Sequence, residues 1–245
     1  KITKTIAFIK ENQLQKLVIA KKKYAEISEP DLWGTFGNLC EKYPSAFVYA
    51  FMDAGECWIG AFFELLGNYH KKSGKFTTMS LAGTLPVEEK WTQKEIREQQ
   101  PVTEYIRNIL QKYDSHVDIS PTYDHVSGNI KHLRNDFSIR LDRNRLDDLI
   151  GELHPTPAVC GIPKSFCKKA IFSFEGFDRE YYAGYSKIET DEDLYYFVNL
   201  RCGKLYKNAA VLFAGGGITA MSDPQNEWRE TELKADALLR NIMPQ

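Results

Sequence analysis

The sequence lacks a hydrophobic run long enough to cross a membrane. Its longest apolar stretch, residues 209–221, has only 13 residues and is interrupted by three glycines. A membrane-spanning helix needs about 20 consecutive apolar residues, so no membrane partner is expected. The first residue is Lys1 rather than Met and no signal-type segment follows it, which leaves open an upstream N-terminal segment.

Cysteine is scarce, and its spacing matches no known framework. The five cysteines are an odd number and form no CxxC pair; they are Cys40, Cys57, Cys160, Cys167 and Cys202. This pattern argues against a disulfide framework and against a zinc site. We expect reduced thiols and therefore a cytoplasmic protein.

An excess of one charge is also missing. The 32 Lys and Arg residues nearly balance the 33 Asp and Glu residues, for a formal net charge of −1, and the basic residues form no long block. Nucleic acid is therefore not an expected partner. The 43% hydrophobic and 27% charged content is ordinary for a globular protein. A chain of 245 residues suits one large domain with a buried core.

What the sequence does contain is a mixture of strand and helix patterns. Apolar runs predict a hairpin of strands at 46–52 and 56–62, and a later strand at 209–213. Helical spacing covers 92–113 and 226–242. Because predicted strands neighbour one another along the chain, they should pair antiparallel. The predicted fold class is α+β, with large antiparallel sheets flanked by helices.

Two predicted helices carry carboxylates at helical spacing. Glu227 and Glu230 share one face with Lys234, and Glu95 and Glu98 are spaced in the same way on an earlier helix. On spacing alone, a solvated face with a Glu230–Lys234 ion pair is the simpler explanation of the first group. If both pairs faced one pocket, their repulsion would require a cation with oxygen ligands, for which Mg²⁺ is the natural candidate.

Two further segments have unusual compositions. The run 154–161 contains two prolines, which restrict the backbone and place His154 at its start. The run 214–218 holds three consecutive glycines, so its backbone could approach a ligand and its N–H groups could meet an anion. A structural histidine and a tight turn are the alternative interpretations.

Together these segments resemble the chorismate-binding enzymes and, within them, the isochorismate synthases. The resemblance is carried, from residue 154 onward, by HPTPAVCGIPK, FDREYYAGY, NLRCG, FAGGGI and DPQNEWRETELKA. Upstream, LQKLVIAK, WIGAFFELL, SLAGT and EIREQQPVTEYI resemble further motifs of the family. The resemblance covers almost the whole chain and implies a single catalytic domain over residues 1–245 with the family's α+β fold.

The resemblance implies two catalytic residues. Lys16 matches the general base that deprotonates the attacking water, and Glu64 matches the general acid that protonates the departing hydroxyl. Desolvation at a strand start suits a lysine base because it lowers the pKa. The apolar Phe62 and Phe63 before Glu64 suit a protonated carboxyl. The family usually has Ser-Pro before this glutamate, so the local backbone is expected to differ here.

Further residues match the metal and substrate positions of the family. Glu98 and Glu230 match direct Mg²⁺ ligands, while Glu95 and Glu227 match positions that hold the ion partly through water. The residues that match substrate-binding positions are Gly83, Thr84, His154, Tyr182, Arg201, Gly215 and Lys234. Among them, Arg201 can hold a carboxylate through two parallel hydrogen bonds.

Two positions favour one reaction within the family. Lys16 stands where the ammonia-using members typically have Gln, so water is the expected nucleophile. Ala82 stands where aminodeoxychorismate synthases place a lysine that acts as a covalent nucleophile. The predicted activity is therefore that of an isochorismate synthase, in which water adds at C2 of chorismate and the C4 hydroxyl departs, with Mg²⁺ as cofactor.

Two alternatives stay open. A salicylate synthase adds pyruvate elimination to the same hydration, and an inactive truncated fragment would lack upstream strands and leave a sheet edge exposed. Chorismate is the partner that the resemblance implies. No glutaminase subunit is expected, and the predicted assembly is a monomer or a weak dimer. The sequence does not distinguish menaquinone from siderophore synthesis as the use of the product.

Overall fold

The chain forms two compact units. The computed structural model describes residues 1–62, 64–127 and 130–244. Unit 1 comprises Lys1–Phe63, Val159–Gly184 and Val198–Gln245, and unit 2 comprises Glu64–Ala158 and Tyr185–Phe197. Phe63, which the sequence places before the predicted acid, lies outside the described residues.

Along the described chain, helices separate runs of consecutive strands. The helices are α1 (Ile2–Glu11), α2 (Leu32–Lys42), α3 (Gln93–Leu110), α4 (Leu146–Leu153), α5 (Lys164–Glu175) and α6 (Pro224–Leu239). The strands are β1 (Lys16–Glu26), β2 (Pro30–Asp31), β3 (Phe47–Asp53), β4 (Glu56–Phe62), β5 (Leu65–His70), β6 (Lys75–Pro86), β7 (Asp118–Ile119), β8 (Tyr123–Ser127), β9 (Ile130–Arg140), β10 (Gly161–Ile162), β11 (Tyr185–Glu189), β12 (Asp193–Val198), β13 (Cys202–Tyr206), β14 (Ala209–Ile218) and β15 (Met243–Pro244). None of the helices in this described part is long and apolar enough to cross a membrane.

Unit 1 is built on an antiparallel six-stranded sheet with the order β10-β1-β14-β13-β4-β3. Leu39 of α2 and Leu238 of α6 pack with Leu212 of β14 in one core cluster. A second cluster joins Ile9 of α1 to Leu17 of β1. Helices therefore cover the sheet with their apolar faces, as the sequence predicted.

The predicted hairpin is confirmed in β3 and β4. The two strands pair from Phe47–Phe62 to Asp53–Glu56. Ala54 and Gly55 form the turn with positive φ angles of 48° and 81°, the backbone that a two-residue turn between twisted strands requires.

Strand β14 is longer than the sequence predicted. We predicted that it ends at residue 213, but it continues through the three glycines to Ile218. Each glycine is held by the neighbouring strand: Gly215 pairs with Ala20, Gly216 with Ile19 and Gly217 with Val18. The tight-turn interpretation of this run is therefore wrong, because β1 supplies backbone partners that keep the glycines extended.

Side chains replace a neighbouring strand along one edge of β1. The short strand β10 pairs with β1 only at Lys16 and Leu17. Farther along this edge, the Ala20 N–H donates to Oε1 of Glu175 at 2.7 Å, and Arg179 donates to the Val18 carbonyl at 3.1 Å. Glu175 and Arg179 also bond each other, Nε to Oε2 at 2.8 Å. A buried ion pair thus satisfies backbone groups that would otherwise lack a partner strand.

Unit 2 has its own sheet, with the order β11-β12-β5-β6-β9-β7, and β8 pairs with β9. Its pairings are antiparallel where the structure gives a register, as between β6 and β9. Helix α3 packs on β6 and β9, and α4 packs on β5. Phe76 and Phe137 are fully buried in this unit. Both units therefore confirm the predicted α+β class with antiparallel sheets.

Candidate active site

The three glycines of β14 leave space for three predicted site residues. A β-carbon placed on Gly217 would lie 2.1 Å from Cε of Lys16, and one on Gly215 would lie 2.6 Å from the Tyr182 hydroxyl. These distances are below any normal contact, so an added methyl would displace the end of the Lys16 side chain or the Tyr182 hydroxyl. A β-carbon on Gly216 would be 3.6 Å from Oε2 of Glu227. Because side chains alternate along a strand, Lys16 and Tyr182 lie on one face of β14 and Glu227 on the other.

Lys16 is the first residue of β1 and is half-buried. Its backbone pairs with Ile162 of β10, and its carbonyl accepts a hydrogen bond from the Cys167 thiol at 3.3 Å. Its ammonium reaches over Gly217, 2.8 Å from where a β-carbon would stand. The predicted position of Lys16 at a strand start is confirmed, and Gly217 leaves the space that its side chain occupies.

Helix α6 brings Glu227, Glu230 and Lys234 to unit 1. Glu227 is only 6% exposed. Glu230 is paired with Lys234 at 2.6 Å, so the simple i,i+4 ion pair considered for this helix is present. The Lys234 ammonium also donates to the carbonyl of Gly215 at 3.1 Å. The pairing of β14 with β13 ends at Leu212, so Gly215 lies past the part of β14 that pairs with β13.

Tyr182 and Arg201 are held in unusual surroundings in unit 1. Tyr182 is buried, and its ring stacks on Phe213 at 5.6 Å. Arg201 has a positive φ of 50°, a left-handed conformation that costs a non-glycine residue about 1–3 kcal/mol and is concentrated at functional sites. Burial lowers the pKa of its guanidinium. Arg201 is therefore a strained and desolvated cation directly before β13.

Unit 2 places Glu95 against the glycine of the SLAGT segment. Gly83 has a φ of +67°, and the β6–β9 register shifts between Ala82 and Thr84. A β-carbon on Gly83 would lie 3.1 Å from Cβ of Glu95. Glu95 is 5% exposed, and its Oε2 accepts the backbone N–H of Thr92 at 3.0 Å and also the Thr92 hydroxyl. Glu95 thus supplies the carboxylate half of a helix capping box, T-x-x-E, at the start of α3.

Glu98 lies one turn further along α3 and is half-buried. The next residue, Gln99, is buried and fixes the rotation of the helix: its amide donates to the Ser80 hydroxyl at 2.9 Å and to Oδ1 of Asn135 at 3.0 Å. Ser80 and Asn135 belong to β6 and β9. The hydrogen bonds of Gln99 to both strands fix which face of α3 lies on the sheet. They thereby also fix the side of the helix on which Glu98 lies.

Glu64 is half-buried immediately before β5. The hydroxyl of Thr156 donates to its Oε1 at 3.1 Å. Glu64 and Thr156 line one pocket of unit 2 together with Met79, Ile106 and Leu153. The predicted acid therefore stands in largely apolar surroundings beside a hydroxyl donor.

His154 and Thr84 are each held by a neighbour within unit 2. His154 ends α4, and its ring packs edge-on against Tyr185 with centroids 5.0 Å apart. The Thr84 hydroxyl is 3.0 Å from Nδ1 of His132, which also lies 3.2 Å from the Gly83 carbonyl.

The predicted metal ligands are distributed between the two units, with Glu95 and Glu98 in unit 2 and Glu227 and Glu230 in unit 1. Across residues 1–62, 64–127 and 130–244, no group of three or more His, Cys, Asp or Glu side chains is placed so that it could hold a metal ion. Mg²⁺ therefore stays a prediction from the resemblance and from the oxygen chemistry of these residues.

Sequence reasoning missed several residues that support the site. Thr92 and Thr156 hold Glu95 and Glu64, and Glu175 with Arg179 holds the edge of β1. The T-x-x-E spacing of Thr92 was a readable signal of a capping box. The other contacts join residues far apart in the chain, and no local pattern indicates them.

Comparison with known proteins agrees with this arrangement. A family model described as "Chorismate binding enzyme" matches residues 1–243. The salicylate biosynthesis isochorismate synthase of Pseudomonas aeruginosa is 29% identical over 97% of this chain and 53% of its own length. Isochorismate synthase MenF of Escherichia coli K12 is 30% identical over 96% of this chain and 57% of its own length.

The likeness extends to three-dimensional structure. The solved structure of MenF, the menaquinone-specific isochorismate synthase from Escherichia coli, matches with a TM-score of 0.88 and 26% identity, over 98% of this chain and 59% of that one. The chain thus spans little more than half the length of the curated relatives it matches. The match to the family model over nearly all residues shows that the chain belongs to the chorismate-binding enzymes.

Proposed function

We propose that this chain is an isochorismate synthase, which converts chorismate to isochorismate. The observation that carries the proposal is the position of Lys16, whose ammonium occupies the space left by Gly217. The resemblance assigns this lysine to activation of water, where ammonia-using relatives have Gln. Water enters and a hydroxyl leaves, so the overall reaction is an isomerisation.

In the proposed reaction, Lys16 accepts a proton from the water that attacks C2 of chorismate. Glu64 donates a proton to the C4 hydroxyl as its bond to carbon breaks. General-acid and general-base steps of this kind each contribute roughly 10²–10⁴-fold to a rate. Tyr182, Arg201, Gly215 and Lys234 are proposed to bind the substrate carboxylates, as the resemblance implies. Gly83, Thr84 and His154 are proposed to contact the ring.

We propose Glu95, Glu98, Glu227 and Glu230 as the residues that hold Mg²⁺. Their chemistry fits, because magnesium prefers carboxylate oxygens and keeps several waters. Glu95 and Glu227 are also nearly fully buried, and buried carboxylates require compensating positive charge. When bound, the ion would neutralise substrate and protein carboxylates. Since Glu230 is paired with Lys234, binding would exchange that ammonium for the metal.

The direct test is product analysis after incubation of the purified protein with chorismate and Mg²⁺. We expect isochorismate as the product on chromatography. Salicylate with pyruvate would identify the related synthase, and no turnover by a folded, Mg²⁺-supplied protein would contradict the proposal.

A matched variant tests the proposed acid in the same assay. Glu64→Gln keeps the size of the side chain but cannot deliver a proton, so we expect kcat to fall at least about tenfold while chorismate still binds. Turnover above about a tenth of wild type would place the acid elsewhere.

A further inference from the structure

Thr156 contacts Glu64, the predicted acid, and sequence analysis did not identify it. Its hydroxyl donates to Oε1 of Glu64 at 3.1 Å, although 92 positions separate the two residues in the chain. Thr156 is 8% exposed. The contact is therefore sheltered from water, where a hydrogen bond to a charged group is stronger than on the surface.

The position of this hydroxyl is fixed by its covalent neighbours. Thr156 stands between Pro155 and Pro157. A residue before proline is restricted to extended backbone conformations, and proline itself fixes φ. Thr is also β-branched, so its χ1 angle has few rotamers. The hydroxyl consequently reaches Glu64 with little loss of conformational freedom.

The surroundings of this hydrogen bond are mostly apolar. Side chains of α3, β6 and the end of α4 line the pocket that contains Glu64 and Thr156, among them Val102, Met79 and Leu153. Tyr105 is the other titratable residue of this lining within the described residues, and its hydroxyl donates to the Glu152 carbonyl at 3.3 Å. The described lining of the pocket thus surrounds the Thr156–Glu64 hydrogen bond mainly with apolar side chains.

We propose that Thr156 is a positioning residue for the Glu64 acid: its hydroxyl holds Oε1, so that Oε2 carries the proton delivered to the leaving group. This inference rests on the proposed function. A hydroxyl suits the role because it can donate to the carbonyl oxygen of a protonated carboxyl and to a carboxylate after the proton has left. An ammonium in its place would favour the ionised form alone.

The test uses three variants with matched chemistry. Thr156→Val removes the hydroxyl and keeps the branched shape, whereas Thr156→Ser keeps the hydroxyl. Thr78→Val is the control, because Thr78 lines the same pocket and is 4% exposed, but its hydroxyl donates to the Leu66 carbonyl at 2.8 Å. For each protein, the pKa of Glu64 is measured by ¹³C NMR with labelled glutamate Cδ, and the resonance is assigned by its absence in Glu64→Gln.

We expect Thr156→Val to raise the pKa of Glu64 by about one pH unit, since the lost bond stabilises the carboxylate more than the acid. Thr156→Ser and Thr78→Val should keep the wild-type value. With chorismate, Thr156→Val should lower kcat roughly tenfold with little change in KM, because orientation of the acid is lost. The alkaline limb of its pH–rate profile should move to higher pH, because Glu64 with a raised pKa stays protonated up to a higher pH.

The outcomes separate this inference from the proposed function. An unchanged Glu64 resonance in Thr156→Val, or an equal shift in Thr78→Val, would overturn the role of Thr156. A shifted resonance with no turnover of chorismate by wild type would support the contact and contradict the proposed function. If Thr156→Val does not fold, Thr156→Ser provides the test. The inference requires Thr156→Ser to keep the wild-type pKa of Glu64 and most of the wild-type kcat, and a loss of either would overturn it.

Discussion

The two units hold several of their carboxylates in different ways. In unit 1, Glu230 faces the ammonium of Lys234 at 2.6 Å, and Glu232 faces Lys23 at 2.6 Å. These contacts join full charges, which stabilise the ionised carboxylate. In these two pairs of unit 1, the ammonium groups therefore favour the ionised carboxylate.

In unit 2, hydroxyl groups take the place of the ammonium groups. Thr92 donates to Glu95, and Thr156 donates to Glu64. A neutral hydroxyl can serve an acid or a carboxylate. The difference teaches that an ammonium contact favours the ionised form of Glu230, whereas the hydroxyl beside Glu64 suits a carboxyl that gains and loses a proton.

The largest effect is expected from Gly217→Ala, which tests the fixed position of the base in unit 1. The added methyl would collide with Cε of Lys16, and the flexible lysine would move away. We expect kcat with chorismate to fall by about 100-fold or more, as in Lys16→Ala, because a misplaced base loses its catalytic contribution.

The melting temperature provides the control for this prediction. Gly217→Ala should melt near wild type, because a long side chain can move without repacking the core. Gly37→Ala in α2, where a methyl meets no atom within 4 Å, should keep full activity and gain stability of roughly 0.5–1 kcal/mol. Wild-type kcat in Gly217→Ala would show that Lys16 need not lie over Gly217.

A smaller effect is expected from Glu230→Gln, which removes a proposed metal ligand from the charge-paired unit. Magnesium at one hundred times its Kd should stabilise wild type by about 2.7 kcal/mol, a melting rise of roughly 5–10 °C for a domain of this size. The variant should lose this stability response, while its stability without metal stays within about 1 kcal/mol of wild type.

Glu232→Gln is the matched control for the magnesium titration. Glu232 lies on the same helix but pairs with Lys21 and Lys23 rather than matching a metal position. It should keep the full magnesium response. If thermal melts show the same magnesium shift in wild type, Glu230→Gln and Glu232→Gln, Glu230 is only a solvated helix residue.

The smallest effect concerns the pH dependence of stability in unit 1. Hydrogen bonds from Lys21 and then Lys23 hold the pKa of Glu232 below its usual value of 4.5. A lowered folded pKa gives stability that is present above the unfolded pKa and is lost as pH falls through the folded value. Since Glu232 is a third exposed, we expect Glu232→Gln to cost about 0.5–1 kcal/mol at pH 7.

Urea unfolding at pH 7 and at pH 3 measures this difference. The cost of Glu232→Gln should shrink at pH 3, where the carboxyl gains its proton. A cost that is equal at both pH values would show that packing of the side chain, and not its charge, stabilises unit 1.

Local sequence patterns predicted the features of the site that depend on near neighbours. The start of a strand at Lys16 follows from the compact apolar run after it, and the i,i+4 pair of Glu230 with Lys234 follows from helical spacing. The continuation of β14 through Gly215 could not be predicted in this way, because β1 supplies its backbone partners. The contact of Thr156 with Glu64 likewise depends on how the chain folds back over 92 positions.

The ion pair of Glu175 and Arg179 has a consequence for how this molecule meets its copies. An exposed strand edge with unpaired backbone groups is a template on which a second chain can add a strand, and this is a common route to aggregation. Between Val18 and Ala20 those groups are already bonded to charged side chains. At these positions, a second chain therefore cannot add a strand to the edge of β1. The strand that begins with Lys16 is in this way protected from intermolecular pairing.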